Sequence, residues 1–225
     1  MPRPPRPPQE IESIKKEILE TALELIIKDG FKNLSMRKLA SRLGMTATTI
    51  YNYFSNKDEI NLMIRMHGFE MLYLQFEKCY TDHDDPLARL QAMIRSYFRF
   101  GIRYPNYYDV MFNLHTPKYL DYVETDLEPV ARTEKEASLR NYAITQKAVA
   151  AIFEKQAGLS ADQIRLKTVQ LWCDAHGVIS LYNSNFFEEI SAQPSEMIDG
   201  LIDAVIGRIA DCGRNNPFTP DNNLN

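Results

Sequence analysis

Apolar side chains recur along this chain at three- and four-residue spacing, and nowhere do they alternate long enough to suggest strands. The pattern predicts an all-α fold of about nine helices. In the first, Ile11, Ile14, Ile18, Ala22 and Leu25 share one stripe, which stops at Gly30, a left-handed C-terminal cap against which Phe31 packs back. A second helix is expected from Ser35 to Leu43 and a third from Thr46 to Phe54, with Gly44 making the turn between them and Thr46 as N-cap. Ser55 and Asn56 then cap a fourth. The remaining helices are placed near 57–80, 86–103, 105–114, 126–157, 160–187 and 194–212. The organisation that follows is an arm over 1–8, a three-helix domain over 9–56, a larger helical domain over 57–212 and a tail over 213–225. The Pro/Arg arm reads as extended and disordered, because proline in alternation excludes a helix, with a basic arm that touches a nucleic-acid backbone or minor groove as the alternative, and the Asn- and Pro-rich tail reads as frayed.

Composition changes little, but the charge distribution changes a good deal. Apolar residues at 44% and charged residues at 25% are those of an ordinary globular chain. No run approaches 18 apolar residues, and the N-terminus lacks the apolar core of a secretory signal, so no membrane association and a cytoplasmic location are expected. Cys79, Cys173 and Cys212, odd in number and widely spaced, fit reduced thiols. The net charge of -4 argues against nucleic acid only as an average: residues 1–66 carry +3 and the remainder -7. Between Asp29 and Asp58 there is no acid, while Lys32, Arg37, Lys38, Arg42 and Lys57 all fall in that window.

The same window holds the two short helices. Leu39, Ala40, Leu43, Ile50 and Phe54 are spaced to bury against one another and against the first helix, which fixes the angle of a helix-turn-helix. Thr48, Thr49, Asn52 and Tyr53 are left facing outward, an uncharged surface of hydroxyls, an amide and a phenol suited to base edges and phosphates. Tyr51 falls nearer the Ile50 and Phe54 side. Arg37 and Lys38 sit in the first turn of the second helix, where the dipole favours acids, a local conflict of the kind that marks functional sites. From Phe31 to Ile60, FKNLSMRKLASRLGMTATTIYNYFSNKDEI, the chain resembles the DNA-binding domain of the TetR family. The resemblance implies that Thr46, Ala47, Thr48, Thr49, Tyr51, Asn52 and Tyr53 form the recognition surface, that Lys57 and backbone amides of the fourth helix grip phosphate, and that Arg37 reaches a base. Ser35 and Lys38 complete the candidate DNA-binding set, although Lys38 stands where many members have an acid.

Farther along, Trp172, His176 and Gly177 resemble a Trp-His-Gly type of TetR C-terminal domain, and Tyr104 to Phe112 is similar to that type's short middle helix. Cys173, Gly177, Ser180 and Ser184 recur at four, three and four residues, as do Gly200, Ala204 and Gly207 in the last helix. Glycine inside a helix costs about 1 kcal/mol against alanine, so these stripes, with Leu201 and Val205, predict a two-fold homodimer interface. Aromatic residues crowd the middle of the chain. Phe69, Tyr73, Tyr97, Tyr104, Tyr108, Phe112 and Trp172, with His115, Asn141 and His176, are candidates to line a mainly apolar ligand cavity. The resemblance implies that an effector held between the fifth, seventh and eighth helices shifts the fourth and spreads the DNA-reading heads, so the expected partners are double-stranded operator DNA, a small-molecule effector and a second copy.

An enzyme is disfavoured. The chain has no glycine-rich phosphate loop, no G-x-S-x-G and no H-E-x-x-H, and His67, His83, His115 and His176 are scattered, so no catalytic residue and no cofactor is assigned. Asp82, His83, Asp84 and Asp85 read as an acidic loop capping a helix. Cys173, Asp174 and His176 offer too few ligands on one helix for a metal, and none is assigned. The remaining alternative is a helical interaction protein that keeps the fold without binding DNA.

Overall fold

The computed structural model of the chain describes residues 6–154 and 159–212, the last four as backbone only. The expected disorder of the arm falls partly, and that of the tail wholly, outside these residues. The described elements are α1 (Pro8–Asp29), a 3-10 turn (Phe31–Asn33), α2 (Met36–Arg42), α3 (Ala47–Tyr51), α4 (Lys57–Asp82), α5 (Pro86–Arg103) and α6 (Pro105–Tyr108). A π-helical segment (Asp109–Asn113) continues α6, and a 3-10 turn (Tyr119–Tyr122) precedes α7 (Glu128–Phe153), α8 (Ala161–Asn183), α9 (Phe186–Ile190) and α10 (Pro194–Cys212). The described residues contain no strand, as the periodicity predicts.

Two expected boundaries move for local reasons. Pro8, read as part of the arm, is the first helical residue of α1, in the first turn, where proline loses no intrahelical hydrogen bond. The helix expected over 160–187 breaks at Asn185, which takes the left-handed conformation at φ 59°, and α9 starts anew beyond it. Gly30 has φ 81° and ψ 150°, and Gly44 has φ 63°, backbone angles that L side chains rarely adopt, so both turns depend on glycine.

Contacts divide the described residues into two compact units, one within 1–71 and 104–139 and the other within 72–103 and 140–225. The core of the first is built on Ile18, Ala22, Ile26, Leu39, Ile50, Phe54, Ile60, Ile64 and Val110, so the three N-terminal helices close on the start of α4 and on the π segment. Gly68 of α4 belongs to this contact: a Cβ there would run into the thioether of Met111. Arg65 and Glu134 form a buried ion pair in the same unit, with Nη2 2.7 Å and Nε 2.8 Å from Oε1. In the second unit, Phe76, Met93, Tyr97, Phe98 and Phe100 are buried, as are Leu171, Ala175 and Ile179 of α8 and Ile198, Ile202, Val205 and Ile206 of α10.

Candidate nucleic-acid interface

The helix-turn-helix is set by its caps. Ser35 Oγ accepts from Lys38 N at 3.2 Å at the start of α2, and Thr46 Oγ1 accepts from Thr49 N at 3.1 Å at the start of α3. Gly44 turns the chain between them, and Ile50, fully buried, pins α3 to α1 and α2. The outer face is thereby fixed. Arg37, Thr46, Thr48, Tyr51 and Asn52 are exposed, Ala47 and Thr49 are half-buried, and Thr49 Oγ1 is engaged by Thr46 Oγ1 at 2.9 Å. Arg37 has no ion-pair partner among the described residues.

Tyr51 and Tyr53 exchange the roles expected of them. Tyr51 is 54% exposed and faces solvent, whereas Tyr53 is half-buried against the core of the head. Tyr51 is the last residue of α3, whereas Asn52 and Tyr53 lie in the turn beyond it, from which the Tyr53 ring packs back on the core. The hydroxyl of Tyr53 nevertheless stays accessible enough to accept a hydrogen bond from Arg6 Nη1, and Arg6 Nε also lies 3.2 Å from Glu10.

Two of the candidate phosphate anchors are also engaged within the head. Lys38 Nζ lies 2.7 Å from Asp29 Oδ2, and its ammonium holds that carboxyl below the ordinary aspartate value. This ion pair ties α2 to the end of α1 and accounts for a lysine where an acid would otherwise favour the helix dipole. Lys57 Nζ donates to the carbonyls of Lys32 at 3.2 Å and Phe31 at 3.4 Å and sits 4.8 Å above the Phe31 ring. At the entry to α4, Asn56 Oδ1 accepts from the amides of Asp58 and Glu59, and Glu59 accepts from the amide and hydroxyl of Ser55, so those amides already have partners.

The candidates for a ligand cavity do not gather in one unit. Phe69, Tyr108 and Phe112 stack in the first, with ring centroids 4.9–5.7 Å apart, where Tyr104 is half-buried and His115 exposed. Tyr73, Tyr97, Asn141, Trp172 and His176 belong to the second. There Tyr97 and Trp172, 5.4 Å apart, line a narrow apolar cavity of about 20 Å³ together with Phe76, Met93, Leu171 and Thr145. His176, one turn beyond Trp172, has its imidazole pK lowered by burial and lies 3.4 Å from Ser180 Oγ. Tyr73 instead lies beneath the guanidinium of Arg140.

Along α8, Cys173 and Ser184 are exposed and Gly177 and Ser180 half-buried, and Leu166 and Val169, exposed by 60% and 44%, extend the same stripe one turn earlier. The continuation could have been read from the three- and four-residue spacing. On α10, Gly200 and Ala204 are exposed and Leu201 and Gly207 half-buried, and nothing in the described chain lies within 4 Å of a Cβ built at Gly177, Gly200 or Gly207. Val205, expected on this face, packs into its own core at 2% exposure, since it lies about 100° around α10 from Ala204. Asp85 caps α5 through the amide of Ala88, Asp174 pairs with Arg208 at 3.3 Å, and no metal-ligand cluster occurs among the described residues. None of the described helices is long and apolar enough to cross a membrane.

Comparison with known proteins agrees with this geometry. Residues 18–62 match the family described as bacterial regulatory proteins, tetR family, and residues 90–205 match the tetracyclin repressor-like C-terminal domain. An HTH-type transcriptional regulator of Saccharopolyspora erythraea is 48% identical over 79 residues, 35% of this chain and 34% of that protein. The chain spans about a third of the length of the curated relatives it matches. Among solved structures, the ketosteroid transcriptional regulator KstR2 of Mycobacterium tuberculosis superposes with a TM-score of 0.66 at 14% identity, over 87% of this chain and 94% of its own. The TetR family transcriptional regulator PfmR of Thermus thermophilus gives 0.63 at 17% identity, over 84% and 97%. The C-terminal match alone covers more than half of the chain. This protein belongs to the TetR family of helix-turn-helix transcriptional regulators.

Proposed function

We propose that the protein is a ligand-responsive repressor that binds a palindromic operator as a homodimer in the cytoplasm. The observation that carries this reading is the outer face of α3 and its C-cap, where Thr48, Tyr51 and Asn52 offer uncharged hydrogen-bonding groups to solvent beside Arg37, which has no ion-pair partner among the described residues. Thr46, Ala47, Thr49 and Tyr53 border that surface, and Ser35, Lys38 and Lys57 add polar and cationic groups at its edge. The uncovered stripe of α8 from Leu166 to Ser184, with Gly200, Ala204 and Gly207 of α10, supports pairing with a second copy. An apolar effector enters between α5, α7 and α8 by widening the small cavity beside Tyr97 and Trp172, and lowers operator affinity by as much as it favours the DNA-free state. The Trp-His-Gly assignment of α8 and the absence of catalysis belong to the same reading.

Selection of bound duplexes from random DNA tests it. The expected outcome is an inverted repeat with half-site centres about 10 base pairs, one helical turn, apart. Enrichment of an asymmetric site overturns the dimer, and no enrichment overturns sequence-specific DNA binding in favour of a helical interaction protein.

A further inference from the structure

Arg6 and Tyr53 stand 47 residues apart in sequence, yet the guanidinium of one donates to the phenol oxygen of the other. The bond joins the start of α1 to the far edge of the α3 surface. Three features set Arg6 apart from an ordinary surface arginine. It is followed by Pro7 and Pro8, so its own backbone is confined to extended conformations, and Pro7, at φ -58° and ψ 147°, leads directly into the first turn of α1. It is a cation at the positive end of a 22-residue helix dipole, a placement that costs stability unless something else favours it. Its side chain remains 39% exposed while bonded to both Glu10 and Tyr53, so the charge faces outward from a fixed position.

Hydrogen-bond accounting at Tyr53 points the same way. A phenol oxygen that accepts from a guanidinium still has its own hydrogen to donate, and the charge-assisted bond fixes the ring and polarises that hydrogen. An oxygen anion placed beyond the hydroxyl receives one bond from Tyr53 and one from a free N–H of Arg6. We propose that Arg6 and Tyr53 form a single phosphate clamp at the edge of the α3 surface, with Pro7 and Pro8 holding the arginine in place. The clamp rests on the DNA-binding reading given above. Arg6 supplies charge to the backbone and is the positioning residue for Tyr53, and neither reads a base.

The test uses the full chain and two 30-base-pair duplexes, one carrying the selected inverted repeat and one unrelated, with affinity measured by fluorescence anisotropy from 50 to 300 mM KCl. Each phosphate contact made by a cation contributes about 0.9 to the slope of log K against log salt. Arg6→Ala should flatten that slope by about 0.9 on each duplex, so its deficit relative to the native chain shrinks about 3.5-fold between 50 and 200 mM. Arg6→Lys should restore the slope. Tyr53→Phe should weaken binding on both duplexes at an unchanged slope, because it removes a neutral donor and leaves the cation. An unchanged slope for Arg6→Ala, or a change confined to the selected duplex, overturns the clamp. If the native chain itself shows no salt-sensitive binding to either duplex, the DNA-binding reading fails and the clamp fails with it.

Discussion

Replacing Glu134 by alanine removes one half of an ion pair that is almost wholly out of water: the Arg65 side chain is 7% exposed and that of Glu134 4%. Two guanidinium nitrogens reach the same carboxylate oxygen at 2.7 and 2.8 Å. The other neighbours of Arg65 compensate poorly. Its Nη1 lies 3.4 Å from the carbonyls of Val110 and Met111 and 3.5 Å from Thr116 Oγ1, long distances for strong bonds, and the Phe69 ring is 5.8 Å away. Glu134→Ala therefore strands a buried cation, which costs about 3–5 kcal/mol. For a chain of this length each kcal/mol moves the melting temperature by roughly 2–4 °C, so a fall of about 6–20 °C is expected in scanning calorimetry. The double variant Arg65→Met with Glu134→Leu removes both charges and keeps the volume, and it should melt near or above the native protein. A fall of less than about 2 °C for Glu134→Ala, or a double variant less stable than Glu134→Ala, refutes the reasoning.

Three further outcomes are expected. Lys38 holds the Asp29 carboxyl below its ordinary value, so the pair's contribution is complete above the normal aspartate range and is lost as pH falls through the lowered value; Lys38→Met should flatten the acid limb of a stability profile measured from pH 6 to 2, and an unaltered limb would count against the pair. Leu166→Glu together with Val169→Glu should convert the dimer to monomer in sedimentation at micromolar concentration while leaving the helical circular dichroism unchanged, because both side chains are exposed within one chain; a dimer that survives places the interface elsewhere. Gly44→Val puts a branched side chain at φ 63°, where a Cβ meets nothing within 4 Å, so backbone strain dominates its cost, and denaturant titration should show a loss of about 1–2 kcal/mol.

What was legible in the sequence was local, and what was missed depended on distant partners. Pro86 and Arg103 bound α5 as expected, because periodicity and a starting proline are properties of neighbours in sequence. Ile50 and Phe54 are buried as their spacing requires. Lys38 could be recognised as anomalous, but not as the partner of Asp29, since that pairing depends on how α1 lies against α2. Tyr53 was misplaced because it lies in the turn beyond α3, a helix whose end after five residues no proline or glycine announces. Asn185 gave no warning either, as an asparagine in the left-handed region resembles any other asparagine until the backbone is seen. The aromatic candidates for a cavity are divided between the two units for a compositional reason: a residue type that suits a cavity wall suits a core equally, and Phe69, Tyr108 and Phe112 pack together in the first unit while Tyr97 and Trp172 line the small cavity of the second.

The π-helical turn over Asp109–Asn113 constrains the chain in its residue count. A π turn accommodates one residue more than an α turn, and in this position the surplus lets Val110 and Met111 enter the core together, with Met111 seated over Gly68 and both carbonyls turned toward Arg65. Deleting any one residue of the five would let the segment relax to ordinary α geometry, but everything beyond it would turn by about 100° relative to α6. Substitutions here change one contact, whereas a single-residue deletion shifts the register of the whole passage from Leu114 to α7. Among relatives that share the Gly68 seat, an alignment should therefore tolerate changes of letter in this stretch and no gap.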